Sequence, residues 1–137
     1  MKAINHVAVW VAGIVQFLLG AGWYTLLAPA WLAGIGKTQA QLAAEHGNSP
    51  LPYIISLGTG LIIAYTIAWL LPRIGRENAA SGAQAGAVLG LALVGTTLAQ
   101  NYAFEARSAS LWLINAGYMV VGMTIMGAIV GHWTKKA

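Results

Sequence analysis

Residues 79–101, AASGAQAGAVLGLALVGTTLAQN, and residues 108–132, SASLWLINAGYMVVGMTIMGAIVGH, contain no Lys, Arg, Asp or Glu, and the polar break Glu105-Ala106-Arg107-Ser108 lies between them. A helix rises about 1.5 Å per residue and the hydrocarbon core of a bilayer is about 30 Å thick, so roughly 20 apolar residues are enough to cross it. Lipid offers nothing to a backbone amide, so a run of this length pairs its own N–H and C=O groups and becomes a helix. The two runs therefore predict a tight helical hairpin. Ser108 or Ser110 is placed to cap its second helix, because a hydroxyl there satisfies an otherwise unpaired amide.

Outward from the hairpin, residues 51–71 and 4–27 are equally free of the four charged residue types. Pro50 and Pro52 precede the first of these runs and Pro72-Arg73 closes it, as expected where a helix cannot continue. Four spans follow, over about 4–27, 51–71, 79–101 and 108–132, in a single four-helix domain covering 1–137. Composition agrees: 58% of the chain is hydrophobic and 7% charged, against about 25% charged in soluble domains. The expected fold class is an all-α, polytopic integral membrane protein with membrane lipids around it. Lys2, an apolar run and Ala28-Pro29-Ala30 loosely imitate a cleaved leader. The run is too long for one and holds Trp10, Gln16, Trp23 and Tyr24, so it is read as a span.

One connection is long. Within residues 28–49, Thr38-Gln39-Ala40-Gln41 matches a capping box and predicts a short interfacial helix over 39–46, with Leu42, Ala43 and Ala44 set among Gln39, Gln41 and Glu45 and with Gly47-Asn48 ending it. An irregular loop is the competing reading, since the segment is short and weakly amphipathic. Basic residues near span ends give a direction. Lys2, Arg73, Arg76, Lys135 and Lys136 fall on one side and only Lys37 and Arg107 on the other. Both termini are thus expected in the cytoplasm, with the first loop and the hairpin turn outside.

Between lipid-embedded helices, close packing of small residues replaces the hydrophobic effect as the main attraction. Gly82, Gly86 and Gly90 recur every four residues on one face of the third span, and Thr97 and Asn101 are expected to continue that face. Gly127 and Gly131 repeat the device on the fourth span, and Gly13, Gly20 and Gly22 something similar on the first. Four helices enclose only a thin core, so a homo-oligomer, or a subunit of a larger membrane complex, is expected.

Ionisable side chains inside a bilayer mark pathways and sites, but here none lies near mid-span, which disfavours an ion-coupled transporter. Neutral polar residues do lie inside. Asn5 and Gln16, with Val9, Gly13 and Gly20, share one helical face and serve either interhelical hydrogen bonds, each worth about 1 kcal/mol, or a solute path. Sorting by depth collects Trp23, Tyr24, Trp31, Tyr53, Asn101, Tyr102, Phe104, Glu105, Arg107, Trp112, Asn115 and Tyr118 in the outer half. Asn115 and Tyr118 share a face, with Asn101 and Glu105 as their expected partners across the hairpin. Two readings compete for Trp23, Tyr24, Asn101, Glu105, Arg107, Trp112, Asn115 and Tyr118. One is a small-molecule site with aromatic walls and convergent polar groups; the other is a tied hairpin turn beside an aromatic belt.

Catalysis finds less support. With no cysteine, thiol nucleophiles, thiolate metal sites and disulfides are excluded, and no nucleophile–base spacing, phosphate loop or zinc-protease motif appears. His6 and His132 have no obvious third ligand. No enzyme activity, cofactor or metal is expected. The net charge of +4 is carried by scattered basic residues rather than a stripe, so nucleic acid is not an expected partner.

Gly20-Ala21-Gly22-Trp23-Tyr24 with Pro29 and Trp31, Asn101-Tyr102-Ala103-Phe104-Glu105, and Leu111-Trp112-Leu113-Ile114-Asn115-Ala116-Gly117-Tyr118 together resemble a group of small bacterial membrane proteins known as domain of unknown function 1761. The resemblance spans nearly the whole chain. It implies a four-helix protein of the bacterial cytoplasmic (inner) membrane and brings no assigned activity. Two functions remain in play. The first is a non-catalytic oligomeric or accessory scaffold subunit; the alternative is a channel or facilitator for a small neutral or lipophilic solute, entered through the outer aromatic and polar site.

Overall fold

The computed structural model describes residues 2–134; Lys135 and Lys136, which contribute to the charge bias, lie outside the described residues. The chain is all-α, with no strand among the described residues. Its helices are α1 (His6–Leu26), α2 (Ala28–Ile35), α3 (Gln39–His46), α4 (Leu51–Leu70), α5 (Ala79–Leu89), α6 (Thr96–Phe104) and α7 (Ala109–His132). A single π-helical turn, Gly90–Gly95, joins α5 to α6, and α4 tightens into a 3-10 turn, Leu71–Ile74, at Pro72. Four helical stretches are long and apolar enough to cross a membrane: His6–Leu26, Leu51–Ile74, Ala79–Phe104 and Ala109–His132. Between 22% and 39% of the most apolar stretch of each is buried inside the chain, so most of the apolar surface is left for lipid to cover, as a polytopic membrane protein requires.

Helix starts follow their caps. Asn5 Oδ1 accepts from the Ala8 amide at 3.3 Å, Asn78 Oδ1 from Ser81 at 2.9 Å and Ser108 Oγ from Leu111 at 3.1 Å. Thr38 and Gln41 form the reciprocal capping box at 3.1 and 2.8 Å, and α3 runs over 39–46 as its sequence predicts, leaving no irregular loop there. A helix at Ala28–Ile35 is not foreseen. Pro29, part of the leader-like Ala28-Pro29-Ala30 pattern, stands in the first turn of α2, where a missing N–H costs nothing, and Gly36 at φ 70° ends the helix. The third span also runs three residues past its expected end at Asn101, to Phe104.

The hairpin turn closes with the Arg107 amide donating to the Tyr102 carbonyl at 2.9 Å, around Ala106 in the left-handed region at φ 54°. This arrangement usually places glycine at that position.

The closest helix pair is α5 on α7. A Cβ built on Gly82 would collide with the Gly127 carbonyl oxygen, one on Gly86 with the Met123 carbonyl, and one on Gly127 with the Gly82 carbonyl; one on Gly131 would stand 2.5 Å from the Asn78 carbonyl. The two backbones touch, and the glycine repeats are consumed within the chain. Val9, Ala12, Ala64, Ile67, Ala68, Leu71, Met123, Met126 and Val130 form the apolar core, in the half of the bundle that holds the N-terminus. Lys2 pairs with Glu77, and the Asn5 amide donates to the Trp133 carbonyl at 3.0 Å, which brings the N-terminus, the α4–α5 connection and the end of α7 to one end.

Gln16 lies at the upper edge of this core, 4% exposed. Its Nε2 reaches the Met119 sulfur at 3.9 Å, while Oε1 has no hydrogen-bond partner. A Cβ on Gly122 would collide with Oε1, so the hydrogen that takes its place points at that oxygen and offers a weak Cα–H contact. The sequence places Val9, Gly13 and Gln16 on one face, and all three are buried; Asn5 instead caps α1 beyond it.

Two substitutions test this packing. Gly86→Ala is expected to lower stability by about 1–3 kcal/mol, the usual penalty of overpacking a rigid contact, in equilibrium unfolding in mixed micelles, whereas Gly58→Ala, with nothing within 4 Å, should be neutral. Ala106→Gly should stabilise by up to about 1 kcal/mol by relieving the left-handed backbone; a loss of stability would contradict the turn.

Candidate functional site

Polar and aromatic side chains meet at the hairpin end, where α1, α2, α6 and α7 converge. The Tyr24 hydroxyl donates to Asn115 Oδ1 at 2.8 Å, and Asn115 Nδ2 donates to the Tyr102 hydroxyl at 2.6 Å. One side-chain amide thereby ties three helices. The Tyr24 ring makes edge contacts at 5.4 Å with Trp31 on one side and Tyr118 on the other. The Tyr118 hydroxyl donates to the Gln16 backbone carbonyl at 3.1 Å. It has room because Gly20 carries no side chain; a Cβ there would stand 2.8 Å from the phenol oxygen.

Two tryptophans fasten the surroundings. Trp23 Nε1 donates to the Ile114 carbonyl at 3.0 Å, with its ring over Gly117. Trp112 Nε1 donates to the Gly95 carbonyl at 2.8 Å, where the π turn ends. Widened turns disturb the regular ladder, and the Thr96 and Thr97 hydroxyls donate to the Ala92 and Leu93 carbonyls within this one. Beside them α2 lies on the start of α7, with Gly34 against the fully buried Leu111.

The expected partners of Asn115 and Tyr118 are not the observed ones. Asn101 is exposed, and Glu105 pairs with Arg107 at the tip of the turn. The reason is the π turn: one extra residue rotates everything beyond it. The buried face of the third span runs Gly82, Gly86, Gly90 and then, after a step of five, Gly95, followed by half-buried Leu98 and Tyr102. Thr97 and Asn101, which would continue a regular helix face, turn outward instead. Arg107 remains linked to the cluster through its guanidinium, 5.4 Å from the Tyr102 ring centre.

Of the predicted residues, then, Trp23, Tyr24, Asn115 and Tyr118 come together, Trp112 braces the π turn beside them, and Asn101, Glu105 and Arg107 stand at the rim. Tyr102 and Trp31 are full members of the cluster that depth sorting collects but does not single out. The five-residue step from Gly90 to Gly95 is the sequence signal that points to Tyr102.

The chemistry of the cluster is neutral, made of phenols, one amide and indoles. Its hydroxyls and amide are engaged with one another or with backbone carbonyls. Among the described residues no three His, Asp or Glu side chains gather as a metal site would need; His6 Nδ1 instead lies 3.0 Å from the Tyr65 hydroxyl.

A family model described as a protein of unknown function (DUF1761) matches residues 7–131, an extent that takes in all four long helices and the whole cluster. No curated protein and no solved structure matches the chain.

Tyr24→Phe should cost about 0.6–1 kcal/mol of stability and Asn115→Leu about 1–3 kcal/mol, because the second removes two interhelical bonds and strands both hydroxyls. A double-mutant cycle in mixed micelles measures the coupling. Strict additivity would mean that the 2.8 Å bond contributes nothing.

Proposed function

The chain belongs to the DUF1761 family, and from that premise we propose a non-catalytic membrane subunit that works as a homo-oligomer, or as an accessory part of a larger complex, in the bacterial cytoplasmic membrane with both termini inside. One observation carries the reading. Thr97, Gln100 and Asn101 lie exposed along α6, and among the described residues the Gln100 and Asn101 amides bond to no other side chain or backbone group. Amides turned outward from a membrane helix gain most against a polar partner on another helix.

Other features support the same conclusion. The glycine repeats are covered within the chain, so association has to use a different surface, and the outward face of α6 carries two amides that no described residue bonds. The hydroxyls and amide of the aromatic cluster are spent on each other, which favours a structural knot over a catalytic centre. A solute path is the weaker reading, because Ile67, Leu71, Met126 and Val9 are buried across the bundle axis below Gln16. The basic residues, five at one end and two at the other, support cytoplasmic termini.

The absence of cysteine makes the test direct, since a single introduced thiol forms disulfides only between chains. Under mild oxidation in native membranes, Gln100→Cys or Asn101→Cys should give linked dimers or a linked partner, and Ile62→Cys, 66% exposed on α4, should not. Absence of products from both α6 positions, with a monomeric mass and no co-purifying protein in mild detergent, overturns the proposal.

A further inference from the structure

Two requirements go unmet where α1, α4 and α7 come together. The first is a hydrogen bond. Gln16 Oε1 is buried at mid-span without a partner, although a buried acceptor normally finds a donor. The Tyr118 hydroxyl is close by but gives its hydrogen to the Gln16 backbone carbonyl. The Ser56 hydroxyl faces that of Tyr118, as the Gln16 amide does, so its hydrogen is the one that a closer approach brings to Oε1.

The second requirement is packing. The buried face of α4 runs Ile67, Ala64 and Gly60, and helical spacing continues it to Ser56 and Tyr53. Yet every residue from Leu51 to Ser56 is exposed, on all sides of the helix. Tyr53 is 67% exposed and meets α1 through a ring edge, 6.4 Å from the Phe17 centre. One turn further down the helix is seated: a Cβ on Gly60 would stand 3.7 Å from Gln16 Cγ and 3.8 Å from the Gly13 carbonyl. The helix leaves the bundle at its softest place. Gly58 has nothing within 4 Å, and the Thr59 hydroxyl donates to the Ile55 and Ser56 carbonyls at 2.8 and 3.1 Å. Glycine stiffens a helix least, and a hydroxyl bonded back to the preceding turn bends it.

We propose that the outer end of α4, residues 51–57, is a hinged flap, turning about Gly58–Gly60 between the open position of this structure and a closed one in which Ser56 donates to Gln16 Oε1. One motion meets both requirements. It supplies the missing donor, and it seats Ser56 and Tyr53 on the bundle as Gly60 and Ala64 already are. A single interhelical hydrogen bond in a membrane is a small gain, so neither position excludes the other. Open, the flap presents the Ser56 hydroxyl to lipid; closed, it withdraws it. The flap does not involve α6, so it stands or falls apart from association through Gln100 and Asn101.

Because the chain has no cysteine, paired spin labels report the motion directly, by double electron–electron resonance on the full chain in lipid nanodiscs. Labels on Ile54→Cys and Leu113→Cys, 60% and 63% exposed, sit on the outer ends of α4 and α7 and should give two distances. Labels on Ile62→Cys and Val121→Cys, past the hinge, should give one. Gln16→Leu and, separately, Ser56→Ala should each lower the population at the shorter outer distance by about fivefold, the factor that one interhelical hydrogen bond is worth. An unchanged inner distance shows that the variant is folded, and Ser56, being exposed, is replaced without disturbing the core. A single outer distance in the wild type, long or short, overturns the proposal. So do two outer distances whose ratio either substitution leaves unchanged.

Discussion

Backbone contact between α5 and α7 sets the geometry of everything else in this molecule. Lipid competes equally well for apolar side chains, so helices hold together where their backbones approach and dispersion contacts become dense. Gly82 and Gly86 meet Gly127 and the Met123 carbonyl at distances that exclude any side chain. A hairpin locked at that point fixes α7 as the surface on which α1, α4 and α2 then pack.

Close contact over the full length of the hairpin would leave no space for large side chains at its closed end. The π turn at Gly90–Gly95 resolves this. It inserts one residue, turns Tyr102 inward in place of Asn101, and ends at the Gly95 carbonyl, to which Trp112 donates. Half of the bundle is thus sealed by glycine and by Val9, Met126 and Leu71, and the other half is filled by rings and tied through Asn115. Gln16 stands at the boundary, with its hydrophobic stem in the core and its backbone carbonyl accepting from Tyr118.

The same division separates chemistry along the membrane normal. Neutral hydrogen bonds and balanced ion pairs occupy the hairpin end, whereas unbalanced positive charge and an apolar groove occupy the end of the termini. A bundle so arranged is asymmetric to its surroundings although its four helices are of similar length and hydropathy.

Much of this is written locally in the chain. Run length and the absence of charge specify four spans, the Thr38–Gln41 capping box specifies α3, and Ser108 marks the start of α7, because each depends on residues within a turn or two of one another. Glycine spacing identifies the face of α5 that packs. Other features depend on what lies opposite. Whether the glycines join helices of one chain or of two, whether Pro29 interrupts or begins a helix, and whether Asn101 or Tyr102 meets Asn115 are decided by α7. A one-residue π insertion is cheap or costly according to the partner that accepts the rotated face, and that partner, Asn115 with Trp112, lies on another helix. The membrane fold was therefore set by local chemistry, and the composition of the cluster by tertiary contact alone.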